Sequence, residues 1–346
     1  MRATAIPATV FQLGDMFFHF NEVGGRIIPA GRLNPVIAAV FPGQGSQKPG
    51  MGKELYQLRP EAEQVFNLVS MVTGRDMVAL CFDVDEDTLR QTENAQLALF
   101  TVSVAAFRCV KRQLGNVRVD AVAGHSVGEY AALVSSGILD LGQAASLVQM
   151  RGQLMAEAGE AVPGTMAAVL GMDREPLEAI LHPIEGVVVV ANDNCPGQLV
   201  ISGEVASVKA ASDMALEAGA KKVIPLNVSG AFHSPLMSGA ALSLYEALDR
   251  ARWQGRTDVG PLYSNATGEA VGREQDLPGL LRDGLESTVR WTETIQNMKR
   301  DGIDTFIECG VGDVLSGLIR RIDKDTTCYR VNSLETLEQT IAALRA

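Results

Sequence analysis

The chain has 346 residues, 47% hydrophobic and 21% charged, with 41 acidic against 30 basic side chains and a formal net charge of −11. That length exceeds one ordinary domain of about 150 residues and points to a large core carrying a smaller insert. The acidic balance argues against nucleic acid, which needs a concentrated basic face, and no apolar run reaches the roughly 18 residues that span a bilayer.

Residues 1–34 differ in texture from the rest. A secretory signal needs a clean apolar centre, which Asp15 and Glu22 interrupt. The segment reads as an extension without an assigned role, or as the product of a start codon set too far upstream. Five cysteines, Cys81, Cys109, Cys195, Cys309 and Cys328, lie too far apart for a zinc site or a redox dithiol and fit a reduced, cytoplasmic protein.

From residue 36 the pattern alternates strand and helix. VIAAVF (36–41) is an apolar run ending at Pro42-Gly43, as a buried parallel strand does, and the loop GQGSQKPGMG (43–52) follows. Helical spacing marks 53–69 and 95–112. VDAVAGHS (119–126) is a second buried strand entering a sharp turn, from which a helix opens at once and stops near Gly137. A helix carrying Leu147, Val148 and Leu154 begins near residue 140. Residues 165–229 then give strand, helix, strand, strand, helix, strand, the order of a ferredoxin-like unit. After it come a helix at 236–250, a strand at 261–265, a helix at 291–300, a strand at 305–310 and a helix at 313–322.

The pattern predicts an α/β fold: an α/β-hydrolase-like core with a parallel sheet, made of residues 35–160 and 231–346, interrupted by a ferredoxin-like (βαββαβ) small domain at 161–230.

Gly124-His125-Ser126-Val127-Gly128 matches G-x-S-x-G, the nucleophile elbow, with the strand before it and the helix after it that the motif demands. The string alone is common, and its bland reading is a glycine-rich turn. A serine hydroxyl also needs a base. Of four histidines, His19 lies in the extension and His182 at the end of an amphipathic helix. His125 precedes the serine on its own turn and suits a structural hydrogen bond. His233, where the chain leaves the insert and re-enters the core, is the best candidate base.

Gln44, in the glycine-rich loop after the first strand, reads as an oxyanion donor through its backbone amide, paired with that of Val127; a phosphate-cradling loop and a simple turn are the competing readings. Arg151 is followed by Gly152 inside a helix. A glycine there costs about 1 kcal/mol and hints at close approach by another group. An arginine above the nucleophile suits a substrate carboxylate.

Taken together, residues 36–335 resemble the malonyl-CoA:acyl carrier protein transacylases in the order and content of their motifs. The segments are FPGQGSQ at 41–47, GHSxGEY at 124–130, RG at 151–152, NxxGQxVISG at 194–203, SGAFHSPLM at 229–237, RW at 290–291 and GxGxVLxGL at 310–318.

The resemblance implies that Ser126 is acylated by malonyl-CoA, that His233 is the base, and that Arg151 binds the malonyl carboxylate. Gln44 and Val127 hold the oxyanion, and the acyl group passes to the phosphopantetheine thiol of acyl carrier protein. It implies no metal or tightly bound cofactor and a monomer. Phe232 resembles the malonyl-selective form of its segment. The family holds its histidine by a backbone carbonyl about seven residues before the tryptophan, often on a glutamine; here that position is Gly284, a departure. Asn265 is a further neighbour of the site.

A polyketide carrier in place of a fatty-acid one is one alternative. A serine thioesterase is another, though it needs no carboxylate clamp. Lys221, Lys222, Arg320, Arg321 and Lys324 are the visible basic clusters for docking an acidic carrier.

Overall fold

The computed structural model describes residues 9–13, 16–23, 26–29, 35–115, 117–255, 259–272 and 275–345. Of the expected extension 1–34, residues 1–8, 14–15, 24–25 and 30–34 lie outside the described residues. The remainder forms an antiparallel meander of β1 (Thr9–Leu13), β2 (Met16–Val23) and β3 (Arg26–Pro29), strands that the sequence pattern does not predict.

β4 (Ile37–Phe41) and β5 (Ala121–Gly124) are buried along their whole length and pair in parallel, Ala38 opposite Ala121. The chain then builds a second sheet from β6 (Gly164–Leu170), β7 (Val188–Cys195), β8 (Gln198–Glu204) and β9 (Lys222–Pro225). Its order is β7-β8-β6-β9, with every pairing antiparallel. Helices Arg174–Leu181 and Val205–Glu217 cover it, burying Leu177, Val208 and Ala211 with Val169 and Ile201 in a core of their own. β10 (Leu262–Tyr263), β11 (Thr305–Cys309) and β12 (Thr327–Val331) return to the first sheet, giving the all-parallel order β10-β5-β4-β11-β12. The fold is α/β, with a parallel sheet and a separate antiparallel one.

Helix Thr92–Leu114 runs through the centre of the larger core. It is apolar nearly all round, from Leu97 to Val110, and such a helix must be buried on every side. Among the described residues no helix is long and apolar enough to cross a membrane.

Two expected elements differ in detail. The helical pattern at 53–69 divides into Lys53–Leu58 and Pro60–Thr73, because the proline ring excludes helical geometry at Arg59, which is extended at φ −133°, while suiting the first turn of the next helix. The helix expected at 236–250 begins with a 3₁₀ turn at Pro235–Met237 and becomes α-helical at Ser238.

Candidate active site

β5 runs directly into the glycine turn, and helix Gly128–Ser135 opens at once. A β-carbon on Gly124 would collide with the backbone of Gly128, and one on Gly128 with the carbonyl of Phe41. The turn therefore closes only with glycine at both ends. At its apex Ser126 takes φ 53°, a left-handed conformation that side chains avoid. Asn265, just after β10, ties the turn together. Its Oδ1 accepts the Ser126 N–H at 2.8 Å, its Nδ2 donates to the Gly124 carbonyl at 2.6 Å, and its own N–H donates to Glu129 Oε1 at 3.1 Å.

His233 meets the serine from the far side, with Nε2 2.8 Å from Ser126 Oγ. Its Nδ1 lies 2.8 Å from the carbonyl oxygen of Gly284. A carbonyl only accepts, so Nδ1 carries the proton and the Nε2 lone pair faces the serine hydroxyl. Burial, then the charge of Arg151, push the imidazole down to about 3, with the Gly284 carbonyl opposing and His125 adding slightly. The ring is neutral near pH 7, as a base must be. A carbonyl needs no particular side chain, so glycine at 284 serves where other residues could.

Arg151 lies on helix Leu141–Ala161, whose first turn is capped by Asp140 accepting the N–H groups of Gly142 and Gln143. A β-carbon on Gly152 would stand 2.8 Å from Glu93 Cα, so this glycine lets the helix press against helix Thr92–Leu114. That contact brings Gln96 to Arg151, and Gln96 Oε1 accepts from Nη1. Nη2 donates to Ser126 Oγ at 3.0 Å. Arg151 is only 2% exposed, and its Nε has no partner. Among the described residues no carboxylate lies within ion-pair distance of it. A buried cation without a counter-ion is costly unless an anion is expected.

His125 points away from the nucleophile. Its Nε2 is 2.8 Å from Asn194 Oδ1, its ring stands edge-on to Trp291 at 5.7 Å between centroids, and burial lowers its pKa. The Gln44 loop packs against the elbow through Gly43, where a β-carbon would stand 2.6 Å from the His125 carbonyl oxygen. The Gln44 side chain reaches Thr92 Oγ1 at 3.5 Å. Val127 caps the helix that follows the serine. A cleft of about 310 Å³ opens over Ser126 and His233, bounded by Gln44, Met155, Met166 and Phe232.

The acyl transferase domain family matches residues 39–328. Over 312 residues the chain is 43% identical to the malonyl CoA-acyl carrier protein transacylase of Bacillus subtilis (strain 168), covering 89% of this chain and 97% of that protein. The chain belongs to the malonyl-CoA:acyl carrier protein transacylase family. The fold agrees: a malonyl-CoA:acyl carrier protein transacylase from Xanthomonas oryzae pv. oryzae superposes with a TM-score of 0.85 at 38% identity, covering 90% of this chain and 98% of that one. A malonyl-transacylase solved in complex with a type II PKS acyl-carrier protein superposes with a TM-score of 0.83 at 37% identity, covering 89% and 99%.

In this transacylase the structure brings Ser126, His233, Arg151, Gly284 and Asn265 into direct or shared contact, with His125 and Gln44 on the rim. Sequence reasoning missed Gln96, Asn194 and Glu129. Gln96 carried a usable signal, a lone amide within the apolar run 95–100. Glu129 stands in the GHSxGEY string and was read only as part of it.

Proposed function

We propose that this acyltransferase moves malonyl from malonyl-CoA to the phosphopantetheine thiol of acyl carrier protein, supplying fatty-acid synthesis, through a malonyl ester on Ser126. The observation that carries the reading is the position of Ser126 Oγ, 2.8 Å from His233 Nε2 and 3.0 Å from Arg151 Nη2. Nucleophile, neutral base and carboxylate-binding cation meet at one oxygen.

His233 takes the hydroxyl proton as Oγ attacks the thioester carbonyl. The amides of Gln44 and Val127 hold the developing oxyanion, a role supported by the Val127 position at the start of a helix and by the packing of the Gln44 loop on the elbow. Collapse expels coenzyme A with the proton from His233, and the carrier thiol repeats the sequence in reverse. Arg151 pairs with the malonyl carboxylate throughout. Asn265 fixes the elbow, Gly284 orients the base and His125 braces the turn against Asn194. These residues supply the whole exchange with no metal or bound cofactor.

We assign residues 161–230 to a ferredoxin-like small domain set into an α/β-hydrolase-like core of 35–160 and 231–346. The βαββαβ order and the strand order β7-β8-β6-β9 support this. On this reading the enzyme works as a cytoplasmic monomer. A polyketide carrier is a second reading, favoured by the 37% identity to the transacylase solved with a type II PKS carrier. A thioesterase is disfavoured by a buried arginine that hydrolysis does not use.

Incubation with malonyl-CoA alone, acid quench and peptide mass analysis test the proposal. The adduct is expected on the Ser126 peptide, and its absence or its presence elsewhere overturns the reading. Transfer rates to fatty-acid and polyketide carriers separate the two pathways.

A further inference from the structure

A second cleft, also of about 310 Å³, opens between helices Pro60–Thr73, Thr92–Leu114 and Gly128–Ser135, and its lining shares no residue with the cleft over Ser126. It lies at the far end of the helix that leaves the elbow, about 10 Å along the axis from Gly128. The chemistry described above uses none of it.

Part of its wall is hydrocarbon. Val104 and Phe107 are buried on the central helix, and Val134 packs on the same core from the helix after the elbow. Its charges are unequal in standing. Arg112 Nε lies 3.5 Å from Glu61 Oε1, so those two charges offset each other, and Lys111 has a partner of its own. Arg108 is different. It is half-buried, and among the described residues no carboxylate comes within ion-pair distance of it. Burial disfavours its charged form, with the charge of Asp140 opposing from further off. A cation taken out of water without a counter-ion is costly unless an anion joins it.

Ser135 is a second, independent signal in the same place. It lines the cleft, is 8% exposed, and its Oγ has no hydrogen-bond partner. A serine on a helix can return its hydroxyl to a carbonyl three or four residues back, as Ser136 does to Leu133 at 3.0 Å. The Ser135 hydroxyl does not, and a buried hydroxyl left unpaired is costly in turn.

We propose that this cleft is a binding site for a fatty carboxylate, whose head pairs with Arg108 and accepts from Ser135 and whose chain lies on Val104, Phe107 and Val134. One guanidinium without a counter-ion calls for one negative charge, and its planar fork matches a carboxylate. The apolar wall calls for a hydrocarbon tail, which acetate and inorganic phosphate lack. A ligand of this class is also what repeated chain extension with malonyl units yields. That link rests on the proposed function; the binding itself does not.

The test is calorimetric titration of the full chain at low salt with sodium octanoate below its micellar concentration. Octanoate is expected to bind, each methylene from hexanoate to decanoate tightening it about three- to fourfold. Octanol, without the charge, should bind about ten- to a hundredfold more weakly, and Arg108→Gln should weaken octanoate by a similar factor while leaving octanol unchanged. Ser135→Ala should weaken octanoate about fivefold. The Ser126 cleft also offers a cation and apolar walls, so Arg151→Ala is titrated in parallel and should bind octanoate as the native chain does. Malonyl-CoA loading at the native rate shows that the Arg108 and Ser135 variants are folded. Independently of any variant, a diazirine-bearing octanoate should label the native chain on peptides carrying Phe107 or Val134. No octanoate binding, equal affinity for octanol, native affinity in Arg108→Gln, loss in Arg151→Ala, or label confined to other peptides overturns the proposal. Tighter binding of octyl phosphate than of octanoate overturns the carboxylate assignment. None of these outcomes touches the malonyl-Ser126 reading, which the adduct on Ser126 tests separately.

Discussion

Ser126 and His233, whose reacting atoms meet at 2.8 Å, are the two non-glycine residues among those described that hold a left-handed backbone, at φ 53° and φ 55°. Glycine would take either conformation freely but carries neither hydroxyl nor imidazole. The strain is the cost of presenting both side chains from tight turns into one cleft. Asn265 and Gly284 are the groups that hold the two turns in register.

A stability comparison tests that strain. Ser126→Ala and Ser126→Gly both remove the hydroxyl and should both abolish acylation. The glycine variant relieves the left-handed strain, partly offset by its greater freedom when unfolded, and should be more stable than the alanine variant by about 0.5–1 kcal/mol. Denaturant melts of the two measure the difference. An alanine variant at least as stable as the glycine one would show that the turn is unstrained.

The low pKa of His233 gives a pH prediction with a definite sign. Its folded value, about 3, lies below the ordinary 6.5, so the base stays competent well under pH 6. The acid limb of the coenzyme A release burst should fall clearly below 6.5, and His233→Ala should slow that burst by about 10²- to 10⁴-fold. For stability the neutral ring contributes fully above pH 6.5, and that contribution is lost as pH falls toward 3, because the unfolded chain binds the proton first. Burst kinetics and melts across this window check both. An acid limb at 6.5 would mean that the ring is solvated in the working enzyme.

Carrier docking can be tested on the exposed basic clusters. Arg321 donates to Gln198 at 2.6 Å, so the cluster at 320–324 lies against β8 of the antiparallel sheet, whereas Lys222 opens β9 and Lys221 directly precedes it. Charge reversal at the docking cluster should raise the carrier's KM at low salt and leave malonyl-CoA loading unchanged, with the difference shrinking as salt rises. Unchanged KM for reversal at each cluster would exclude both.

Much of the site was legible because its chemistry is local. Gly124 is fixed by its contact with Gly128 four residues on, whereas Gly128 packs on Phe41 and Gly152 on Glu93, and Ser126 and Arg151 are legible from the glycines beside them together with the strand and helix pattern around them. The partners that complete them are distant: Asn265 lies 139 residues from Ser126 and Gln96 lies 55 from Arg151. Spacing encodes periodicity within an element and says nothing of which elements meet. Gln96 was overlooked because a polar residue on a helix ordinarily faces water, and only the burial of helix Thr92–Leu114 on every side turns it inward. The break at Pro60 is written in the sequence, but the apolar period runs on through it and hides the division into two helices.

On the proposed function, Arg151 is the residue that separates a dicarboxylate transferase from a general acyl-serine enzyme. Malonyl differs from acetyl by a carboxylate that must leave water on entering the cleft, and a paired cation makes that burial tolerable. Arg151 also donates to Ser126 Oγ at 3.0 Å and binds Gln96, so its removal will disturb the nucleophile for every substrate. The ratio of kcat/KM for malonyl-CoA over acetyl-CoA cancels that common loss. A charge-assisted hydrogen bond contributes about 1.5–3 kcal/mol, so Arg151→Ala should lower the ratio roughly ten- to a hundredfold. Gln96→Ala, which loosens the guanidinium without removing it, should lower the ratio less. Equal losses for both substrates in Arg151→Ala would make the arginine a support of Ser126 alone, and the buried cation would then need another anion to explain it.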